Sequence, residues 1–378
     1  MALKAVYVSD VPHLHQVPEN ASFSVRSNYF SKGVELNRVT YGIPKFLVIG
    51  HRGHGKNKFE TTDRRMEAIK ENSIMSFNAA AKFPLDFIEF DVQVTKDGCP
   101  VIFHDDVILS EDNGTVYEKK VTDLTLSEFR SYGPQRETGT IGKPLLRKTK
   151  EGKIVRWSVE EDDSLCTLQD AFQSVKPSLG FNIELKFDDH IVYQQDHLIW
   201  VLQTVLKVVF EYSNERPIIF SSFHPDAALL VRTLQSTYPV FFLTDAGTQI
   251  FYDERRNSLE KALKVCLEGG LQGIVSHVKG VFTNPGAVNN IKEAKLALVT
   301  YGELNNVPEA VHMQHLMGID GVIVDFVEEI TEAVSDMLKP SKACDEEENG
   351  QMELKAKPCF SEKELSFLLK LIPELIRQ

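Results

Sequence analysis

Short apolar runs alternate with longer amphipathic runs along most of the chain, and this alternation predicts a repeated strand–helix fold. Eight of the short runs are apolar on both faces, as expected of buried parallel strands. They lie at 46–50, 86–91, 181–185, 217–221, 240–243, 273–275, 296–300 and 321–324. Helical periodicity predicts helices at 71–83, 167–175, 196–212, 225–237, 257–269, 285–294 and 306–317. Asn72 or Ser73 is the expected N-cap of the first.

Eight strand–helix repeats have the size of a TIM (β/α)8 barrel, an α/β fold, and we predict this architecture for residues 46–338. An open doubly wound sheet is the alternative. No Gly-x-Gly-x-x-Gly follows the first strand to favour it.

The second strand is expected to continue into a hairpin. Its arms, Phe87–Thr95 and Pro100–His104, flank an Asp97–Gly98 pair that is typical of a tight reversal. A polar insertion follows at 106–166, with one short helix predicted at 126–132. Its length exceeds that of an ordinary loop, which indicates either a lid or a small subdomain.

The two ends of the chain differ from this pattern. Residues 1–45 show little periodicity and are expected to be loosely ordered. At 339–378 a polar linker precedes an amphipathic helix, whose start is marked by a capping box at Ser361–Glu364. Packing of this C-terminal helix on the barrel is the simplest interpretation.

Composition narrows the function. The formal net charge of −12 argues against binding of nucleic acid or of an anionic membrane, because both need a basic face. The most apolar long run, 198–210, is too short to span a bilayer and contains polar residues. Five cysteines without a Cys-x-x-Cys spacing favour free thiols in a reducing compartment.

Polar side chains concentrate at the carboxyl ends of the predicted strands, where barrel enzymes place their chemistry. Three carboxylates there could hold Mg²⁺ or Ca²⁺, two cations suit a phosphate, and two histidines suit proton transfer. Together these groups predict phosphodiester cleavage. The alternative is that the acids only form ion pairs with the two cations. The seven residues are Glu89, Asp91 and Glu184; Arg52 and Lys186; His51 and His104.

Other polar residues near the strand ends receive structural interpretations. His54 is expected in a loop, and His224 in a loop or as a helix cap. Ser221 and Tyr301 could fill the barrel mouth, and Asp325 could cap the helix that follows it.

Several motifs, in this order, resemble the glycerophosphodiester phosphodiesterase family, and above all its plant members, some of which are plastid enzymes. The resemblance runs from about residue 46 to 330 and includes an insertion at the same place. Its motifs are His51-Arg-Gly, Glu71-Asn-Ser, Glu89-Phe-Asp-Val, Lys96-Asp-Gly with Phe103-His-Asp, Asn182-Ile-Glu-Leu-Lys and Asp320-Gly-Val-Ile-Val-Asp.

The resemblance implies hydrolysis of glycerophosphodiesters, such as glycerophosphocholine and glycerophosphoethanolamine, to an alcohol and sn-glycerol 3-phosphate, in phospholipid turnover and phosphate recycling. It implies metal binding by the three carboxylates, acid–base roles for the two histidines and phosphate contacts for the two cations. Three carboxylates suit both Mg²⁺ and Ca²⁺, and we take Mg²⁺ as the first choice with Ca²⁺ as the alternative. Plastid localisation is implied as well, with the cytoplasm as the alternative. Two other functions stay open: a phospholipase acting on intact lipid, and a non-catalytic barrel that binds phosphorylated ligands.

Overall fold

A computed structural model describes residues 46–137, 139–149 and 151–338. The segments predicted at 1–45 and 339–378 lie outside the described residues. The strands are β1 Leu47–Gly50, β2 Phe87–Val94, β3 Pro100–Ile102, β4 Val107–Asp112, β5 Thr115–Lys120, β6 Leu146–Lys148, β7 Ile154–Arg156, β8 Gly180–Leu185, β9 Ile218–Ser222, β10 Val240–Thr244, β11 Gly273–His277, β12 Ala297–Tyr301 and β13 Gly321–Val324. The α-helices are α1 Ile74–Ala80, α2 Leu126–Arg130, α3 Leu168–Ser174, α4 Gln195–Tyr212, α5 Pro225–Leu234, α6 Leu259–Gly269, α7 Val278–Thr283, α8 Gly286–Glu293, α9 Pro308–Leu316 and α10 Val327–Met337.

Eight parallel strands close into a barrel, as the sequence predicts. The order around it is β1, β2, β8, β9, β10, β11, β12 and β13, and β13 pairs with β1 to complete the ring. Leu47 lies opposite Gly321 across this closing pair. Because all eight strands run the same way, their carboxyl ends meet at one mouth.

Alternate residues of each barrel strand fill two separate cores. Leu47, Ile49 and Phe87 belong to the set that packs inside the barrel, whereas Ile88 and Phe90 pack outward against the helices. The Phe87 ring leans over the neighbouring strand at Gly180, where a Cβ would lie 2.3 Å from it. A side chain at Gly180 would therefore displace this inner ring.

The insertion folds as a small antiparallel unit rather than as an open loop. β2 first turns back into β3 through the Asp97–Gly98 reversal, and then β5, β4, β6 and β7 form a separate sheet beside α2. Phe103, Phe129 and Trp157 lie in its own hydrophobic core. The short helix is confirmed. The four strands were not predicted, because they are short and mostly polar on both faces.

The helix after β1 is shorter than predicted, and its N-cap is the second of the two residues that the sequence offers. Ser73 is its N-cap and accepts a hydrogen bond from the Ser76 amide, so α1 covers only Ile74–Ala80. Glu71 and Asn72 therefore precede the helix. Both are buried, and their side chains contact Arg52 and Asp91 at the barrel mouth.

Candidate active site

Three carboxylates from adjacent strands form the centre of the barrel mouth. Glu89 and Asp91 share the inner face of β2, and Asp91 lies directly opposite Glu184 of β8 in the strand register. One oxygen from each carboxylate can be chosen so that all three lie within 4.8 Å of one another. Asp91 is the deepest of the three, with 1% of its surface exposed.

The electrostatics of this trio suit a bound cation. Burial raises the pKa of Glu89 well above its usual range, and the charges of Asp91 and Glu184 raise it further. Burial likewise raises the pKa of Glu184. Burial opposes ionisation of Asp91 as well, but His104, Arg52 and Lys186 hold the pKa of Asp91 below its usual range. Crowded, buried carboxylates of this kind are the oxygen ligands that Mg²⁺ and Ca²⁺ prefer, so the trio could hold a divalent metal ion.

Two cations border the carboxylates, and neither removes their excess negative charge. Lys186 Nζ lies 3.1 Å from Glu184 Oε1 and 3.7 Å from Asp91 Oδ1. Arg52 Nη1 donates to Glu71 Oε1 at 2.6 Å, while its Nε lies 3.5 Å from Asp91 Oδ2. Glu71 already neutralises the charge of Arg52. Ion pairing with Arg52 and Lys186 therefore balances only part of the negative charge of the three carboxylates, so ion pairing alone does not explain them.

Arg52 is fixed in an unusual backbone conformation. Its φ of +49° lies in the left-handed region, which is unfavourable for a residue with a side chain. Its amide donates to Glu89 Oε2 at 3.0 Å, and its carbonyl accepts from the Asn72 amide at 3.0 Å. These bonds on both sides stabilise the turn that brings His51 and Arg52 to the mouth.

Each of the two predicted histidines is anchored by a carboxylate. His51 Nδ1 lies 2.7 Å from Asp325 Oδ1, and His104 Nδ1 lies 2.7 Å from Asp105 Oδ1. Burial lowers the pKa of His104 to about 4, with the charges of Arg52 and Lys186 acting in the same direction. A neutral imidazole whose Nδ1–H donates a hydrogen bond to a carboxylate leaves Nε2 as the atom for proton transfer.

The anchoring residues themselves were missed in the sequence. Asp325 does not cap α10, whose N-cap is Phe326; instead it accepts hydrogen bonds from His51 and from the Lys56 amide. The position of Asp325 at the carboxyl end of the eighth barrel strand is the sequence feature that could have indicated a role in the site. Arg147 of β6 donates to Asp105 Oδ2 at 2.9 Å and to Oδ1 at 2.8 Å, and nothing in the insertion's sequence pattern indicates this role.

Two further residues before α1 complete the surroundings of the carboxylates. The side-chain amide of Asn72 donates a hydrogen bond to Asp91 Oδ2 at 2.8 Å. The sequence had offered Asn72 as a helix cap. Glu71 also lies 3.0 Å from Arg147 Nη1, so it joins that arginine to Arg52. A buried acid between two buried arginines ties the insertion to the barrel mouth.

One cavity of about 590 Å³ collects this chemistry, a volume in the range of small-molecule sites. Six of the seven predicted residues line it, and Asp91 lies behind them as part of the carboxylate trio. The structural interpretations of two histidines are confirmed: His224 caps α5, and His54 lies in the loop after β1. Within the described residues, no helix has the length and apolar character needed to cross a membrane.

Comparison with known proteins identifies the family. The sequence model of the glycerophosphoryl diester phosphodiesterase family matches residues 51–329. Glycerophosphodiester phosphodiesterase GDPD1, chloroplastic, of Arabidopsis thaliana is 65% identical over 378 residues, covering 100% of both chains. Glycerophosphocholine phosphodiesterase gde1 of Schizosaccharomyces pombe is 33% identical over an alignment of 327 positions, and the match covers 76% of this chain and 28% of that one.

Solved structures agree on the fold. A glycerophosphodiester phosphodiesterase from Parabacteroides distasonis superposes with a TM-score of 0.53 at 19% identity, covering 77% of this chain and 98% of that one. The predictions of the barrel, of the family and of an enzyme that hydrolyses glycerophosphodiesters are confirmed. With a family match over most of its length and a full-length relative at this identity, the chain belongs to the glycerophosphoryl diester phosphodiesterase family.

Proposed function

We propose that Glu89, Asp91 and Glu184 hold a divalent cation and that His51 and His104 transfer the protons of hydrolysis, which yields an alcohol and sn-glycerol 3-phosphate. One observation carries this proposal: the buried carboxylate trio shares its cavity with two carboxylate-anchored histidines. The cation, when bound, would supply Lewis acidity towards the phosphoryl oxygens.

The protein's own side chains supply the rest of the chemistry. Lys186 and Arg52 line the cavity and are placed to offset negative charge that develops on the phosphate in the transition state. With both Nδ1 atoms engaged, each histidine presents Nε2, so that one can take a proton from the nucleophile while the other gives one to the leaving oxygen. These roles apply equally to water and to the 2-hydroxyl of glycerol as the attacking group.

Metal removal tests the carboxylate assignment. Treatment with EDTA should abolish release of glycerol phosphate from glycerophosphocholine, and added Mg²⁺ should restore it more effectively than Ca²⁺. Three carboxylates suit both ions, and Mg²⁺ is our first choice with Ca²⁺ as the alternative. Full activity after exhaustive chelation contradicts the role of the trio.

Alanine variants test the histidines. We expect His51→Ala and His104→Ala each to lose activity by about 100-fold or more, the scale of acid–base catalysis, with little change in thermal unfolding. His190→Ala is the matched control, because His190 is exposed and does not line the cavity. Near-normal turnover in either active-site variant contradicts its proton-transfer role.

A plastid location is part of the proposal and is supported by the chloroplastic relative from Arabidopsis thaliana. There the enzyme would act in phospholipid turnover and phosphate recycling. A fluorescent protein fused to the C-terminus of the full chain should co-localise with chlorophyll. Diffuse fluorescence throughout the cytoplasm would replace this assignment with the cytoplasmic one.

One observation favours a second candidate, the hydrolysis of lipid that still carries an acyl chain. Val192 and Ile250 are 90% and 79% exposed, and Ile250 and Tyr252 flank Phe251, which lines the cavity. Exposed apolar side chains beside an active-site cavity suit contact with a hydrocarbon chain. Release of choline from lysophosphatidylcholine would support this candidate, and Ile250→Ser should weaken that activity more than activity on glycerophosphocholine.

A further inference from the structure

The carboxylate that anchors His51 has a partner of its own. Asp325 Oδ1 lies 2.7 Å from His51 Nδ1, and the same oxygen accepts a hydrogen bond from the Lys56 amide at 3.0 Å. The other oxygen, Oδ2, accepts a hydrogen bond from Asn306 Nδ2 at 3.0 Å. Asn306 does not line the active-site cavity. Any influence of Asn306 on the reaction therefore passes through the groups that it contacts.

The orientation of the Asn306 side chain follows from the backbone beside it. Its Oδ1 accepts hydrogen bonds from the amides of Asp325 at 2.7 Å and Phe326 at 3.1 Å. Backbone amides only donate, so the side-chain atom that faces them must be the oxygen. The side-chain nitrogen then faces Asp325 Oδ2, and an ionised carboxylate accepts from it. Asn306 thus holds both the backbone and the carboxylate of Asp325.

The residues around Asn306 hold it at the end of β12. It is the last residue of a 3-10 turn, Glu303–Asn306, that follows this strand. The preceding Asn305 is fully buried, and its side-chain amide donates to the carbonyls of Thr300 in β12 at 2.9 Å and Ile323 in β13 at 3.0 Å. These bonds tie the turn to both strands, so the barrel itself determines the position of Asn306.

A competing cation explains why Asp325 Oδ2 needs a neutral partner. Lys56 Nζ lies 3.7 Å from this oxygen, and the Lys56 side chain lines the cavity. The last torsion of an aspartate side chain has a broad energy well, so attraction to the ammonium group would turn the carboxylate away from His51. The hydrogen bond from Asn306 opposes that rotation and leaves the negative charge of the carboxylate intact.

The other histidine shows the same arrangement of three groups. His104 is anchored by Asp105, and Arg147 holds Asp105 through two hydrogen bonds, at 2.9 and 2.8 Å. Asn306 stands in the same relation to the anchor of His51. Outer groups of this kind orient the residue that transfers the proton, and their loss typically costs about 10- to 100-fold in activity.

We propose that Asn306 is a positioning residue of the hydrolysis, which fixes the Asp325 carboxylate so that Oδ1 stays with His51. The inference rests on the proposed function, in which His51 transfers a proton. Asn306 acts on the chemical step and touches no substrate in the cavity. Its loss should therefore lower kcat and leave KM nearly unchanged.

Two variants of Asn306 separate its hold on the carboxylate from its hold on the backbone. Asn306→Ala removes all of these hydrogen bonds. Asn306→Asp keeps an oxygen for the two backbone amides but replaces the donor to Asp325 Oδ2 by a second carboxylate oxygen. We expect kcat for glycerophosphocholine to fall by about 10- to 100-fold in both variants, with KM within about 2-fold of the wild type.

Asn290→Asp is the matched control, because Asn290 is exposed on α8 and does not line the cavity. Its kcat and KM should equal those of the wild type. A normal kcat in Asn306→Asp overturns the inference, because Asn306 would then serve only the backbone.

A double variant tests whether Asn306 acts through Asp325. In an Asp325→Ala protein, the further change Asn306→Ala should lower kcat by less than about 2-fold, because the group that Asn306 orients is already absent. If the two losses multiply, Asn306 acts by another route and the inference is wrong.

A measurement on the resting protein separates this inference from the proposed function. Proton NMR of protein with isotope-labelled histidine should show the Nδ1 proton of His51 as a downfield resonance that His51→Ala removes. Asn306→Ala and Asn306→Asp should shift or broaden this resonance, and Asn290→Asp should not. An unchanged resonance in the Asn306 variants overturns the inference. If the resonance moves but His51→Ala keeps normal turnover, the proposed function has failed and the positioning of His51 by Asn306 has not.

Discussion

The two histidines of the active site are held by different parts of the molecule. His51 is anchored by Asp325, and both residues stand at the ends of β1 and β13, the two strands that close the barrel. His104 is anchored by Asp105, which in turn is held by Arg147 from the inserted sheet. One support therefore belongs to the barrel, and the other depends on the folding of the insertion.

This difference shows which part of the fold determines the position of each histidine. Strand pairing in a closed barrel fixes the distance between neighbouring strand ends, so the His51–Asp325 contact follows from the fold itself. The His104 support needs a second unit with its own hydrophobic core, in which Trp157 also stacks 4.2 Å from the Arg147 guanidinium. The insertion is thus part of the active-site scaffold.

The largest expected effect comes from the barrel support. Asp325→Asn replaces an acceptor for three donors, from His51, Lys56 and Asn306, by a group that can accept at only one atom. The imidazole of His51 would lose the acceptor that fixes its orientation. We expect kcat to fall on the order of 10³-fold, as for the loss of the orienting carboxylate in other histidine pairs.

Metal binding provides the control for this variant. Asp325 is not one of the three carboxylates, so Mg²⁺ affinity measured by calorimetry should stay within about 2-fold of the wild type if the two functions are independent. A normal kcat in Asp325→Asn would show that His51 needs no orienting group.

The insertion support should have the next largest effect. Arg147→Met removes both hydrogen bonds to Asp105 and leaves Glu71 with Arg52 alone. We expect kcat to fall on the order of 10- to 100-fold, because the group orienting His104 is lost. The free energy of unfolding in urea should fall by about 2 kcal/mol, because the buried Glu71 loses one of its two arginines and the half-buried Asp105 loses its only one.

Arg130→Met is the matched control within the same insertion. Arg130 pairs with Asp170 while 39% of its side chain is exposed, so its removal should change the unfolding free energy by less than about 1 kcal/mol and leave kcat unchanged. If Arg147→Met behaved like this control, the insertion would be a passive appendage of the barrel.

The same comparison explains how much could be predicted from sequence. Buried apolar runs predict the barrel and its strand ends, and strand alternation places Glu89 and Asp91 on one face, as it does Glu184 and Lys186. The other three candidates, His51, Arg52 and His104, were proposed from their positions beside a strand end or in the hairpin. Asp325 was identified at a strand end but assigned to helix capping, since an aspartate before a helix suits both roles. Arg147 could not be found this way, because β6 has three residues and its contacts depend on how a short polar sheet packs against the barrel.

Glu71 and Asn72 show the same limit at closer range. Helical periodicity begins at Glu71, and the sequence offers Asn72 and Ser73 equally as the N-cap. Ser73 takes that position, and the two residues turn inward to Arg52 and Asp91. Their role depends on partners that are distant in sequence, which periodicity does not describe.

The smallest expected effect concerns Lys70, which precedes the first helix of the barrel and contacts Trp157 of the insertion. Lys70 is buried, its Nζ has no hydrogen-bond partner, and it lies 3.8 Å from the centre of the Trp157 ring. Burial lowers the pKa of Lys70 to about 8, although the nearby charges of Asp162, Glu71 and Asp105 oppose this and that of Arg147 supports it. The ordinary value of 10.5 applies to the unfolded chain.

The sign of the pH dependence follows from these two values. Between about pH 8 and 10.5 the unfolded chain binds more protons at Lys70 than the folded protein does, so this residue makes stability rise with pH in that range. The rise has an upper limit of about 3 kcal/mol, and Lys70→Met should remove it while stabilising the protein at pH 7. Urea unfolding at pH 7, 8.5 and 10 measures both effects.

Arg216 of the barrel is the control, because it is also a buried cation but has hydrogen-bond partners. Its guanidinium donates to the carbonyls of Val175, Lys176 and Leu179. Arg216→Met should therefore lower the free energy of unfolding at each of these pH values. If Lys70→Met did the same, the buried charge of Lys70 would be stabilising, and our interpretation of this residue would be wrong.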